Sequence, residues 1–217
     1  ADTAGVIRSH SAVTRHSVRA NIEADSVNSA LLLPGHAADS DVVSLLVREV
    51  VREMTVKSGQ KCTAIRRILV PQELYDDVAQ ALGTSLAKIS VGNPRNETVR
   101  MGSLVSKEQF TTVQQGIAQL QQVAQTLYDG RGKPLVDADA AVAACAQPVL
   151  LGTKDADGSA LVHDVEVFGP VATLLPYRDL AHGLALAHRG MGSLVTSLYG
   201  EDAGALAGAA LDLAASH

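Results

Sequence analysis

The sequence predicts an α/β protein: an open, largely parallel sheet flanked by helices. Three observations lead there. Amphipathic segments with apolar residues at helical spacing alternate with short Val/Ile/Leu-rich runs bounded by Pro and Gly. The 217 residues are 47% apolar, enough for one substantial core, or for one domain with part of another. No internal repeat or low-complexity linker interrupts the alternation. With no Trp and only two Phe, that core must be Leu, Val, Ile and Ala.

The elements follow in order. Residues 1–10 read as a helix interrupted at its start, with Val6 and Ile7 as a short apolar patch. Residues 17–22 and 27–33 read as strands joined around Glu23-Ala24-Asp25-Ser26, and Pro34-Gly35 ends the second. Asp39-Ser40-Asp41 offers helix-capping chemistry. Val42, Val43, Leu46, Val47, Val50, Val51 and Met54 follow at helical spacing, which predicts a helix over 41–57 with Gly59 as its stop. Residues 64–70 are a predicted strand closed by Pro71, and 72–89 a second amphipathic helix. Val91-Gly92-Asn93-Pro94 is a turn. A third helix opens at Ser106 and is expected to reach Leu127, its Gln-rich face solvated. Residues 129–132 are a loop, and the Ala-rich stretch 138–146 reads as a short helix or an insertion. Strands at 148–151 and 171–175, a helix at 179–189, a strand at 193–199 and a helix at 201–215 complete the chain.

Charge and composition exclude some classes of function. The net charge of −5 and the absence of a basic run argue against a nucleic-acid partner. No run of about 18 apolar residues is present to span a membrane. The start, Ala1-Asp2-Thr3, has no basic segment leading into an apolar one, so it does not read as a secretory signal, and it lacks an initiator Met. Two cysteines, Cys62 and Cys145, make no disulfide framework, and a reducing cytoplasm is the expected location.

Chemistry concentrates at Gly59-Gln60-Lys61-Cys62-Thr63. A cysteine at a helix-to-strand junction, introduced by a glycine, is placed where a nucleophile can face a cleft. Thiolate is the reactive form, and loop or helix-end settings lower a thiol's pKa. The commoner fate of a free thiol is to be a small buried apolar group. Two further stretches decide between these readings. Asn21-Ile22-Glu23-Ala24-Asp25-Ser26 lies upstream, with Glu23 39 residues before Cys62. Glu166-Val167-Phe168-Gly169-Pro170-Val171 lies downstream.

Together and in this order, these three segments resemble those of the aldehyde dehydrogenase superfamily, and the resemblance covers essentially the whole chain. In that family Gly-Gln-x-Cys carries the nucleophile, an upstream glutamate is the general base, and Glu-x-Phe-Gly-Pro lies at the nicotinamide end of the cofactor site. The resemblance therefore implies Cys62 as nucleophile and Glu23 as base, with Asp25 ranked well below it. It also implies Glu166 as a hydrogen-bond partner of the nicotinamide ribose and Phe168 as a ring packed near the nicotinamide. The backbone N–H of Cys62 is the implied half of an oxyanion hole whose other half, an asparagine, lies in a segment not present in this sequence. Cys145, in Val142-Ala143-Ala144-Cys145-Ala146, has no motif around it and reads as structural.

Many family members follow the glutamate with Leu-Gly-Gly, where this chain has Ala24-Asp25-Ser26. That departure, with Val50-Val51-Arg52-Glu53-Met54-Thr55 and Cys62-Thr63-Ala64-Ile65-Arg66-Arg67, is similar to the aldehyde dehydrogenase part of the bifunctional ring-opening enzymes of phenylacetate degradation. The implied activity is NAD- or NADP-dependent oxidation of an aldehyde, a CoA-linked semialdehyde in that branch, by a homo-oligomer. The implied organisation is a cofactor-domain tail at 1–22 and a thiol-bearing catalytic domain at 23–217, incomplete at its C-terminal end. The chain alone is then expected not to oxidise aldehydes. Two rival readings are a cofactor-independent cysteine acyltransferase or thioesterase using Cys62 and Glu23, and a non-catalytic oligomerisation domain. The first gives Glu-x-Phe-Gly-Pro no role.

Other features carry less. His182 and His188, six apart on a predicted helix, face different ways and do not form a metal pair. Asp155-Ala156-Asp157-Gly158 has the start of a calcium loop without its later ligands and reads as a turn. Arg66 and Arg67 are candidates to attract an anionic substrate arm such as CoA phosphates, although adjacent strand positions point to opposite faces, so at most one lines a given surface.

Overall fold

A computed structural model describes residues 26–190 and 193–214. The predicted helix at 1–10, the strand at 17–22, and both Glu23 and Asp25 lie outside the described residues. Six strands form one sheet: β1 (Ser29–Leu32), β2 (Arg67–Pro71), β3 (Gln125–Asp129), β4 (Val149–Gly152), β5 (Val171–Tyr177) and β6 (Thr196–Tyr199). Their spatial order is β3-β4-β5-β2-β1-β6, and every pair is parallel except β3 with β4. The predicted fold class is what is found.

The sheet is covered on both faces, as parallel sheets are. Side chains alternate along each strand. Ala30, Leu32, Ile68, Val70, Ala172 and Leu174 face one core, against α1 (Asp41–Thr55) and α2 (Tyr75–Leu86). Leu31, Leu69, Val171 and Leu175 face the other, against α3 (Lys107–Leu120), α5 (Leu180–His188) and α6 (Ala203–Leu213); α4 (Leu161–Asp164) is a single short turn of helix beside them. Ser40 caps its helix, within the predicted capping stretch 39–41, and Ser106, Asp179 and Asp202 likewise each accept a backbone N–H with their side chain.

Several boundaries differ from expectation for physical reasons. Helix α1 stops at Thr55 rather than 57, because Lys57 (φ 53°) and Ser58 (φ 55°) turn left-handed. The strand expected at 64–70 starts at Arg67. The Asn28 side chain holds the carbonyls of Cys62 and Ala64 in a turn, and the Asn28 carbonyl takes the N–H of both Arg66 and Arg67. The second helix is 3₁₀ over Gln72–Leu74 before α2 begins.

The third helix ends at Leu120, not 127, and residues 125–129 are the edge strand β3. Val113, Ile117, Leu120, Ala124 and Leu127 keep helical spacing, but pairing with β4 overrides that local period. The Ala-rich stretch 138–146 is not a helix: a turn at 140–142, in which the Asp139 carboxylate accepts the Ala141 N–H, leads into extended chain. The turn at 91–94 also forms isolated bridges, Val91 with Met101 and Gly92 with Val136.

Candidate active site

Three loops that carry the sequence motifs meet at one edge of the sheet. Residues 26–28 lead into β1, 59–66 into β2 and 166–170 into β5. β5, β2 and β1 are adjacent and parallel, so all three loops lie at the amino ends of neighbouring strands. Open α/β sheets more often bind ligands at the carboxyl ends; here the topology gathers the motifs at the opposite edge.

Cys62 is exposed on its loop, and that loop is held from both sides. Asn28, fully buried, donates through Nδ2 to the Cys62 carbonyl at 2.7 Å and the Ala64 carbonyl at 3.1 Å. Its Oδ1 accepts from the Ser26 hydroxyl (2.6 Å) and from the N–H groups of Leu194 and Val195. Gln60, the second residue of the cysteine motif, accepts the Val105 N–H at 2.9 Å. Ser58 donates to the carbonyls of Gly102 and Ser103. Lys61 is tied to Glu53, with Nζ 2.7 Å from Oε1. The two left-handed non-glycine residues cost about 1–3 kcal/mol each, and the Ser58 bonds are among the contacts that hold that conformation.

Gly59 does more than lend flexibility. Its φ is +72°, and a Cβ added there would overlap the Gly169 carbonyl. The cysteine motif and the Glu-x-Phe-Gly-Pro motif therefore touch backbone to backbone. Arg66 closes the same junction: Nη2 donates to the Gly59 carbonyl (2.7 Å) and Nη1 to that of Gly169 (2.8 Å). Its Nε lies 3.5 Å from Glu166 Oε1, and its guanidinium sits 5.4 Å from the centre of the Phe168 ring. The Ser26 N–H donates to Glu166 Oε2 at 3.1 Å, and Gln109 donates to the Phe168 carbonyl at 2.8 Å. Ser26 is three residues beyond Glu23 in the sequence. The loop that carries Cys62 is thus joined to the loop that carries Glu166 and Phe168, while Glu23 lies outside the described residues.

Beside this assembly is a cavity of about 800 Å³ whose wall includes Gln60, Phe168, Met101, Lys57 and Arg100. Phe168 is half-buried and the Glu166 side chain is 9% exposed, so an apolar ring and a largely buried carboxylate are placed together. A second cavity of about 650 Å³, lined by Tyr75, Asp76, Leu127 and Lys154, holds none of the motif residues.

The expectation that Arg66 or Arg67 lines a surface for an anionic arm is corrected. The two do point to opposite faces, but both are buried, at 4% and 0% exposure. Arg67 donates to the carbonyls of Val27, Leu186 and Ala187 and to Nδ1 of His163, filling the C-terminal end of α5. Burial pulls its pKa down to about 10, and the Arg189 charge adds to that. Burial also lowers Arg66, against the opposing pull of Glu166. Cys145 is buried, and its burial raises the thiol pKa, which fits a structural role. The sequence does not mark Asn28 or Arg66 as holding the site together. The signal available is a polar residue inside an apolar run, which implies internal partners.

The sequence profile described as the aldehyde dehydrogenase family matches residues 6–217. The chain is 52% identical over 205 residues to the 3,4-dehydroadipyl-CoA semialdehyde dehydrogenase of Aromatoleum evansii, covering 94% of this chain and 40% of that protein. In fold it is similar to the betaine aldehyde dehydrogenase of Staphylococcus aureus in complex with NAD+, with a TM-score of 0.76 at 24% identity over 87% of this chain and 36% of that one. It is also similar to a Mycobacterium tuberculosis aldehyde dehydrogenase complexed with NAD+, with a TM-score of 0.73 at 24% identity over 87% and 37% of the two chains.

Proposed function

Because the chain belongs to the aldehyde dehydrogenase family, we propose that it carries the nucleophile of an NAD- or NADP-dependent oxidation of an aldehyde to its carboxylic acid. It spans less than half the length of the relatives it matches, so the activity is proposed for the full protein. Residues 1–22 are read as the tail of a cofactor-binding domain and 23–217 as thiol-bearing domain. The observation that carries the reading is the meeting of the exposed Cys62 loop with Glu166 and Phe168 at the amino edge of β1, β2 and β5.

The Cys62 sulfur, as thiolate, adds to the aldehyde carbon and gives a tetrahedral thiohemiacetal. The Cys62 N–H steadies the oxygen as it gains charge. When bound, NAD or NADP accepts hydride. Glu166 would hydrogen-bond the nicotinamide ribose, and Phe168 would pack near the ring. Loss of hydride leaves a thioester on Cys62. Water attacks that carbonyl, Glu23 takes the proton, and the carbon–sulfur bond breaks to release acid and regenerate the thiolate.

We propose a CoA-linked semialdehyde as substrate, the class named for the Aromatoleum relative. Lys57 and Arg100, exposed on the wall of the cavity next to Phe168, supply positive charge for an anionic arm in place of the buried Arg66 and Arg67. A cytoplasmic homo-oligomer without membrane or nucleic-acid partners is the proposed setting; no described helix is long and apolar enough to cross a membrane.

The test is intact-protein mass spectrometry on the Glu23→Gln variant of the full protein, given NAD or NADP and either a CoA-linked semialdehyde or a short uncharged aldehyde. Loss of a general base slows the hydrolytic half by about 10²- to 10⁴-fold, so an acyl adduct accumulates on Cys62, faster from the CoA-linked substrate. Normal steady-state turnover in that variant would remove Glu23 from the mechanism. An acyl adduct formed without cofactor from the CoA thioester, with free CoA released, would favour the acyltransferase reading.

A further inference from the structure

We propose that Arg66 is a positioning residue: one buried guanidinium fixes the Glu166 carboxylate and the cysteine loop in register, and so sets how firmly the nicotinamide half of the cofactor is held. The inference rests on the reading of Glu166 as the ribose contact.

The contacts of Arg66 divide between the two motifs. Gly59 belongs to the cysteine motif; Gly169, Glu166 and Phe168 belong to the other. Its own main chain is fixed on both sides, N–H to the Asn28 carbonyl and carbonyl from the Thr173 N–H. The side chain is 4% exposed, so its geometry is set by packing and not by solvent. A planar fork fits these partners, since two N–H groups reach two carbonyls while a third edge faces a carboxylate. A lysine presents one point charge from a flexible stem and cannot span all three.

Energetics point the same way. A buried ion pair is a weak source of stability, because desolvation offsets most of the attraction, and apolar replacements of similar volume are often as stable. What the pair supplies here is direction. With Arg66 at one oxygen and the Ser26 N–H at the other, the carboxylate plane is set before a ribose arrives. A carboxylate aimed in advance binds two vicinal hydroxyls without the cost of ordering it. Coupling to the cysteine loop follows from the shared guanidinium, since tilting Arg66 moves Glu166 and Gly59 together.

The experiment is a double-variant cycle in the full protein: Arg66→Met, Glu166→Gln, and both together, with kcat and KM measured separately for cofactor and aldehyde. Arg66→Met is expected to raise the cofactor KM about 10- to 100-fold, the scale of losing one contact between charged groups. The aldehyde KM should stay within about threefold, and the double variant within about threefold of the worse single one. Arg66→Lys should not restore the cofactor KM. A cofactor KM unchanged in Arg66→Met while Glu166→Gln raises it, or fully additive effects, would overturn the inference and leave the site reading standing. A cofactor KM unchanged in Glu166→Gln would overturn the site reading and this inference with it. Arg66→Met alone strands a buried carboxylate and is the variant at risk of misfolding. If it fails to fold and the double variant folds, with the cofactor KM of Glu166→Gln, the pairing is supported. If the double variant also fails to fold, Arg66 serves the fold alone and the inference is wrong.

Discussion

Gly59 and Gly169 meet with no room for a side chain between them: a Cβ on the first would enter the carbonyl of the second. This contact joins the cysteine loop to the loop bearing Glu166 and Phe168, and it gives the motif glycine a physical role. Gly59 combines a close backbone approach with φ +72°, and each alone disfavours any other residue.

Gly59→Ala is therefore expected to destabilise the protein by at least about 1–2 kcal/mol from backbone conformation alone, with the overlap adding to it. The lost activity should exceed the loss of folded protein, because the displaced loop carries Cys62. Thermal melts beside turnover per folded molecule separate the two effects. A melting temperature and turnover equal to the parent's would mean that the loops do not touch.

The two cysteines should differ in reactivity. Cys62 is exposed; Cys145 is buried, with its thiol pKa raised by burial. Brief treatment of native protein with iodoacetamide should label Cys62 at least about tenfold faster, read by peptide mass spectrometry. Equal labelling in the native state, before unfolding, would contradict the placement of Cys145.

Acid should weaken the fold through His163, which is 1% exposed. Arg67 can only donate, so Nδ1 of His163 accepts from it (3.1 Å) and Nε2 carries the hydrogen given to the Ala156 carbonyl (2.8 Å). Burial lowers the His163 pKa to about 4, the Ala156 bond opposing and the Arg67 charge reinforcing that shift. The unfolded chain takes up a proton near the ordinary value of 6.5. Below that pH it binds more protons than the folded chain, so stability falls as pH drops from 6.5 towards 4 and is flat above 6.5. The full loss is on the order of 3 kcal/mol. Urea unfolding at pH 7 and pH 5 should show a smaller difference in His163→Gln than in the parent. An equal difference in both would assign the effect elsewhere.

Much of the fold and site is legible in the sequence, and the exceptions have reasons. The alternation of amphipathic helices and apolar runs predicts the sheet and its two layers of helix. It does not reveal that 124–129 leave the helical period, since Ala124 and Leu127 continue it and only pairing with β4 decides against a helix. Cys62, Glu166 and Phe168 stand out as motif residues, and the structure brings their loops together through β2 and β5. The structural roles of Arg66 and Asn28 do not stand out. Their importance comes from distant partners, up to 166 and 167 positions away for Asn28, contacts that no local pattern encodes. Reading Arg66 as a surface cation fails for the same reason, because strand position gives alternation of faces and says nothing of what covers them.

Cys62 as nucleophile is tested most directly by comparing Cys62→Ala and Cys145→Ala in the full protein, following aldehyde-dependent reduction of NAD or NADP by absorbance. Cys62→Ala should abolish turnover while folding normally, and Cys145→Ala should keep nearly all of it. A dead Cys145→Ala beside an active Cys62→Ala would contradict the site.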